Sequence, residues 1–159
     1  MSEARRLTLP SPDATAAFAA RLAAVARPGD VILLGGDIGA GKTHFARAFI
    51  RSLQTVPEDV PSPTFTLVQT YDTARGEVWH ADLYRLSGPD EVIELGLDAA
   101  MDSAICLIEW PDRLGPDAPK TALRLDLSPV SDTARLAVLD WSGGDWAARL
   151  TAIAEDIHA

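Results

Sequence analysis

The chain has 159 residues, 47% hydrophobic and 23% charged, with a formal net charge of −9. That is the composition of a soluble globular protein long enough for one domain with a real core, and no apolar run approaches the roughly 20 residues that span a bilayer. Of the 14 basic residues only Lys42 and Lys120 are lysines and no basic stripe is visible, which excludes a protein that grips nucleic acid by charge alone.

In chain order, residues 6–9 read as a short strand. Ser11 then has the chemistry of an N-cap, with Pro12 at the first helical position. Phe18, Leu22 and Val25 follow at helical spacing, and Pro28-Gly29 ends that helix. Residues 31–34 form an apolar strand, and residues 43–53 read as a helix whose buried face carries Phe45, Phe49 and Leu53. Residues 54–63 are a loop punctuated by prolines. Residues 64–72 and 77–83 have strand composition, and Thr73-Ala74-Arg75-Gly76 between them predicts a hairpin. Residues 89–95 look like a short helix that Gly96 is placed to stop. Residues 104–108 are a continuous apolar run, the pattern of a buried central strand. Within that run the lone Cys106 is expected as a buried thiol, with no possibility of an internal disulfide. Residues 111–119 are a loop with room for a helical turn. Residues 123–127 and 134–141 are expected to pair across the turn at 128–132. A last helix carries Trp146, Leu150, Ile153 and Ile157 on one face. The whole is predicted to be a single α/β domain, residues 1–159, with a mixed parallel and antiparallel sheet flanked by helices. Residues 1–6 are polar and basic with no hydrophobic signal core behind them, which points to the cytoplasm.

Between the second strand and the second helix stands Gly36-Asp37-Ile38-Gly39-Ala40-Gly41-Lys42-Thr43. It fits the phosphate-binding pattern G-x-x-x-x-G-K-[ST], and the strand before it and helix after it are the setting that pattern requires. Such a loop turns successive backbone N–H groups inward around phosphate oxygens, and the helix N-terminus adds partial positive charge. Lys42 then supplies a full charge to the β- and γ-phosphates, and the Thr43 hydroxyl is placed to ligate Mg²⁺.

Hydrolysis or transfer also needs a carboxylate to organise the metal and a polar group to orient the attacking oxygen. Asp82 and Glu109 stand at expected strand ends, where ligands of α/β sheets sit. The apolar run closing on Glu109 has the shape of a Walker B element, so Glu109 is assigned to the metal, directly or through water. Asp82 is assigned to a metal-bound water or to the nucleophile. Ser62-Pro63-Thr64-Phe65 offers two hydroxyls suited to a γ-phosphate switch, although a capped loop explains the same residues. His80 could act as a base, and a packed strand histidine is the plainer reading. His44 and His158 have no metal-ligand spacing with another histidine or with cysteine. The chain contains no asparagine, so it lacks the Asn-Lys-x-Asp loop that reads guanine, and ATP is the expected nucleotide. ATP hydrolysis, a small-molecule kinase and a nucleotide-sensing module all remain open from these residues. For the kinase, Arg113, Arg124 and Arg135 are not clustered as a lid.

The phosphate loop followed in order by Ser62-Pro63-Thr64-Phe65-Thr66-Leu67-Val68, His80-Ala81-Asp82-Leu83-Tyr84-Arg85-Leu86, residues 91–96 and Ile108-Glu109-Trp110-Pro111 resembles the bacterial TsaE (YjeE-type) family. These are ATPases needed to form threonylcarbamoyladenosine in tRNA. The resemblance implies a small P-loop fold with slow intrinsic hydrolysis of Mg²⁺-bound ATP. It implies stimulation by the family's partners TsaD and TsaB, whose complex the ATPase resets, with tRNA met only through those partners. By position it implies nucleotide contacts from Asp37, Ile38, Gly39, Ala40, Gly41, Lys42 and Thr43, metal ligation by Thr43 and Glu109, catalytic support from Asp82 and a switch hydroxyl at Thr64. Arg135 is implied at the nucleotide, the segment around Pro12 at the adenine, and Trp110 near the nucleotide or the partner surface.

Overall fold

Alternation of apolar and polar residues along the strands, and a 3.6-residue period along the helices, set the architecture. It is seen in a computed structural model described for residues 3–36, 41–54, 68–84, 95–143 and 145–158, with side chains at 3, 115–117 and 154–158 excepted. The strands are β1 (Glu3–Leu9), β2 (Val31–Gly35), β3 (Val68–Thr73), β4 (Gly76–Asp82), β5 (Ile105–Glu109), β6 (Leu123–Pro129) and β7 (Arg135–Trp141). The helices are α1 (Pro12–Ala24), α2 (Lys42–Leu53), α3 (Leu97–Ser103) and α4 (Trp146–His158), with a 3-10 helix at Pro111–Asp117. No helix among the described residues is long and apolar enough to cross a membrane.

The seven strands form one sheet in the order β1-β7-β6-β2-β5-β4-β3. The four central strands, β6, β2, β5 and β4, run parallel. The outer pairings β1–β7, β6–β7 and β3–β4 are antiparallel. This is the expected mixed α/β sheet. It puts the carboxyl ends of β2, β4 and β5 side by side, the edge where a parallel sheet presents ligand-binding residues.

Each face of the sheet has its own apolar cluster. On one face Ile32, Leu34, Val78, Ile105, Leu107, Leu123 and Leu125 pack under Phe18, Phe45 and Phe49 of α1 and α2. On the other, Val31, Leu33, Ala81, Cys106 and Ile108 pack under Leu97, Ala100, Met101 and Leu114. Neighbouring residues of β2 and β5 thus fall into opposite clusters, which is why those segments read as unbroken apolar runs. Burial pushes the Cys106 thiol up to about 12, with the negative charge of Glu77 adding to the effect. It is the inert strand thiol that its surroundings predict.

Local chemistry fixes the helix ends. Ser11 Oγ accepts from the Ala14 N–H (3.1 Å), and Pro12 opens α1 where no N–H is needed. Helix α3 is one the sequence reading did not contain. It spans only seven residues, too few for periodicity to register, and Gly96 is its N-cap. The expected helix at 89–95 lies, apart from Leu95, outside the described residues.

Helix α4 is held to the rest by charge as well as by Trp146 and Leu150. Arg149 donates to both oxygens of Asp30 (2.6 and 3.1 Å) and to the Val25 carbonyl (3.2 Å), and its guanidinium lies over the Trp146 ring. Asp145 sits beyond, its carboxyl held down to about 2 by hydrogen bonds from Arg149 and then Arg27. Asp145 is half exposed, so its share is small. The Arg149–Asp30 pair is 13% and 12% exposed and carries the weight. Arg149→Ala strands Asp30 with little besides the Arg27 N–H. The expected loss is about 3 kcal/mol of unfolding free energy, read by urea denaturation, the low end for a buried pair stripped of one partner. A loss below about 1 kcal/mol would place the pair with ordinary surface bridges.

Candidate functional site

Strand parity decides which side chains meet. Val78, Ile105 and Leu107 point into the cluster beneath α2. His80 and Asp82 have the parity of Val78, and Glu109 that of Leu107, so all three face α2. The β4–β5 register sets Asp82 beside Glu109 and His80 beside Leu107. All three are buried polar residues, at 0% (His80), 7% (Asp82) and 2% (Glu109) exposure.

Three helix and loop residues close on this edge. Gly41, at φ +102°, is the N-cap of α2 and turns the chain into the helix through a conformation that a Cβ would strain. The next residue, Lys42, is buried, and its Nζ donates to the Gly36 carbonyl oxygen (2.7 Å). The same Nζ lies 3.6 Å from the centre of the Trp110 ring. Thr43 follows, and its hydroxyl lies 3.0 and 3.2 Å from the two carboxylate oxygens of Glu109. Glu109 is fixed from behind as well, since His80 Nε2 stands 2.7 Å from its Oε2. Asp82 Oδ1 accepts from the Tyr84 N–H (3.0 Å), which locks the turn leaving β4.

Trp110 has φ +58°, a left-handed conformation for a bulky side chain that costs roughly 1–2 kcal/mol. It is held there between Lys42 and Tyr84, whose ring centre lies 4.8 Å away. Trp110, Pro111, Asp112, Gly35, Gly36 and Arg124 line a cleft of about 150 Å³. Gly35 lets Asp126 come close: a Cβ at that position would stand 1.9 Å from Asp126 Oδ1, and the Asp126 side chain would have to shift. Arg124 is paired with Asp126 (3.1 Å) and lies 3.7 Å from Asp112.

The more distant candidates are placed as follows. A Cβ on Gly41 would come 3.7 Å from Arg135 Nε, so the Arg135 side chain reaches the start of α2. Its NH1 donates to the Ser131 and Ala134 carbonyls (3.1 and 2.9 Å). The Pro12 carbonyl meets His44 Nε2 at 3.0 Å, tying the first turn of α1 to the first turn of α2. Asp37, Ile38, Gly39 and Ala40 lie outside the described residues, as does Thr64.

The fold therefore gathers Lys42, Thr43, Asp82 and Glu109 at one sheet edge, with Arg135 and Pro12 bordering α2. One hydroxyl and one carboxylate within 3.0 Å of each other make a hard-oxygen donor set. That set suits Mg²⁺, which takes one or two protein oxygens and completes its shell with phosphate and water. Two contacts escaped the sequence: Lys42 on Trp110, and His80 on Glu109. The signal for the second was the shared parity of residues 78, 80 and 82, which speaks only once β4 is known to neighbour β5.

The sequence model of the family described as "Threonylcarbamoyl adenosine biosynthesis protein TsaE" matches residues 9–137. The tRNA threonylcarbamoyladenosine biosynthesis protein TsaE of Rickettsia bellii is 39% identical over 128 residues, 80% of this chain and 89% of the relative. The protein of that name from Bacillus subtilis is 37% identical over 126 residues, covering 79% and 78%. The crystal structure of Bacillus subtilis YdiB superposes with a TM-score of 0.78 at 28% identity, covering 98% of this chain and 97% of that one. With a family model spanning most of its length and relatives this similar over most of theirs, the chain belongs to the TsaE family.

Proposed function

We propose that this protein is a cytoplasmic, magnesium-dependent ATPase serving the formation of threonylcarbamoyladenosine in tRNA. It hydrolyses ATP slowly by itself and faster on the TsaD–TsaB complex, which it resets between rounds. Family membership supports the pathway. The observation that carries the chemistry is the meeting of Thr43 and Glu109 at the strand edge beside Lys42. The chain's net charge of −9 favours a protein partner over direct contact with tRNA.

In this reading Thr43 Oγ1 and Glu109 would hold Mg²⁺, which would supply positive charge to offset that of the phosphates. The backbone around Asp37, Ile38, Gly39, Ala40 and Gly41 cradles the phosphates, and Lys42 exchanges the Gly36 carbonyl and Trp110 ring for them. Asp82, its Oδ1 held by the Tyr84 N–H, orients the attacking water. Water attacks the γ-phosphorus, the bond to the β–γ bridging oxygen breaks, and ADP leaves with the electron pair. Thr64 reports the γ-phosphate to the adjoining loop, Arg135 contacts the nucleotide, and the segment at Pro12 borders the adenine.

A small-molecule kinase would need an acceptor pocket with a mobile arginine. Arg124 faces the cleft beside Gly36 but is already paired with Asp126. The deciding measurement is ATP turnover with and without TsaD–TsaB. Stimulation of tenfold or more is expected. Unchanged turnover, with phosphate appearing instead on a small acceptor in a metabolite pool, would establish the kinase.

A further inference from the structure

Beneath the metal-side carboxylate lies a buried histidine that neither the phosphate loop nor the strand-end acids account for. His80 is fully buried, and its Nε2 is 2.7 Å from Glu109 Oε2. Its other ring nitrogen, Nδ1, is buried and has no hydrogen-bond partner among the described residues. A carboxylate only accepts, so the proton on that side of the ring belongs to Nε2. The Thr43 hydroxyl reaches both carboxylate oxygens, 3.0 Å from Oε1 and 3.2 Å from Oε2. A ring with no solvent access and with its Nε2 committed to Glu109 cannot take a proton from an attacking water.

We propose that His80 is a positioning residue. Its Nε2–H pins Oε2 of Glu109, which holds the carboxylate against the Thr43 hydroxyl, so that a magnesium ion would meet it in a fixed rotamer. The proposal rests on the reading of Glu109 as a metal ligand. A pinned carboxylate loses no rotamer freedom when the cation arrives, and the donor holding it sets which oxygen is presented. Partners of this kind change metal affinity about 10- to 100-fold when removed. The effect falls on the metal rather than on the phosphate loop, because His80 is linked to Glu109 and not to Lys42.

The test measures Mn²⁺ affinity of the ADP-bound protein by electron paramagnetic resonance, beside ADP affinity in EDTA. His80→Phe fills the ring's space without a donor, and His80→Gln restores an N–H. The expected result is Mn²⁺ binding weakened about 10-fold or more in His80→Phe and recovered to within about threefold of the parent in His80→Gln. Metal-free ADP affinity is expected to be unchanged in both. Parent-like Mn²⁺ affinity in His80→Phe, or equal losses in the two variants, overturns the proposal. Glu109→Gln separates the two readings. If it too leaves Mn²⁺ affinity unchanged, the metal role of Glu109 is wrong; if it alone weakens binding, only the His80 role is. Should a variant fail to fold, long-range ¹H–¹⁵N NMR on the unaltered protein decides. A proton on Nε2 is expected, and a ring protonated at Nδ1 alone overturns the proposal.

Discussion

Lys42→Ala is expected to weaken ATP binding at least about 100-fold and to abolish measurable turnover. Without nucleotide the Lys42 ammonium contacts, among others, the neutral Gly36 carbonyl and the Trp110 ring. A cation over an aromatic ring is worth about 0.5–2 kcal/mol, and a hydrogen bond from a charged donor about 1.5–3 kcal/mol. Contact with a triphosphate outweighs both, because both partners are then fully charged in a site shielded from water. Removing the cation leaves the phosphates facing Asp82 and Glu109 with one less positive neighbour. About 2.7 kcal/mol is a factor of about 100 in affinity, so a single lost charge-assisted contact of the strong kind accounts for the effect. Lys42→Met separates charge from packing. It keeps an aliphatic stem at a position only 5% exposed, and should bind as poorly as the alanine variant. Neither variant is expected to lower the melting temperature of the nucleotide-free protein, since what is removed is a buried charge. Isothermal titration of both with ATP is the check, and parent-like affinity in Lys42→Met would remove Lys42 from the nucleotide site.

The contrast between Lys42 and His80 shows where the sequence was readable. Lys42 and Thr43 lie in one contiguous pattern whose geometry is set by its own glycines and the helix behind it. The strands around them were visible as well, because Ile105–Ile108 is apolar throughout and Arg124 and Asp126 alternate with leucines. Serine and proline announced the start of α1 through purely local hydrogen bonding. Strand order has no such local code. That β4 lies beside β5, and that Asp82 and Glu109 share a rung, follows from crossovers through segments distant in the chain. The histidine–carboxylate contact depends on that rung and on parity together. The resemblance put Trp110 near the nucleotide or the partner surface, but its left-handed φ beside Lys42 is a conformation that residue propensity argues against. Helix α3 was missed for a different reason: Leu97, Ala100 and Met101 have helical spacing, but for less than two turns.

Glu109→Gln is expected to cut magnesium-dependent turnover at least about 100-fold while nucleotide binding in EDTA persists or tightens. The substitution is close to isosteric, and the local bonds can survive it. The amide oxygen can accept from His80 Nε2–H while the amide nitrogen donates to Thr43 Oγ1, since a hydroxyl both gives and receives. What disappears is the charge alone. A unit charge about 6 Å from a divalent cation interacts with it by about 5–6 kcal/mol at an effective dielectric of about 20, so losing this one weakens the cation's hold by several kcal/mol. The same charge repels a bare triphosphate, and its removal acts there with the opposite sign. A role confined to packing β5 against α2 would produce neither the metal dependence nor this reversal. It would lower nucleotide affinity equally with and without magnesium. Fluorescent ATP titrations in magnesium and in EDTA, run beside single-turnover hydrolysis, read both signs in one preparation. Hydrolysis at the parent rate with the parent magnesium requirement would show that Glu109 holds no metal, and would return the Thr43 contact to the status of a helix-to-strand tether.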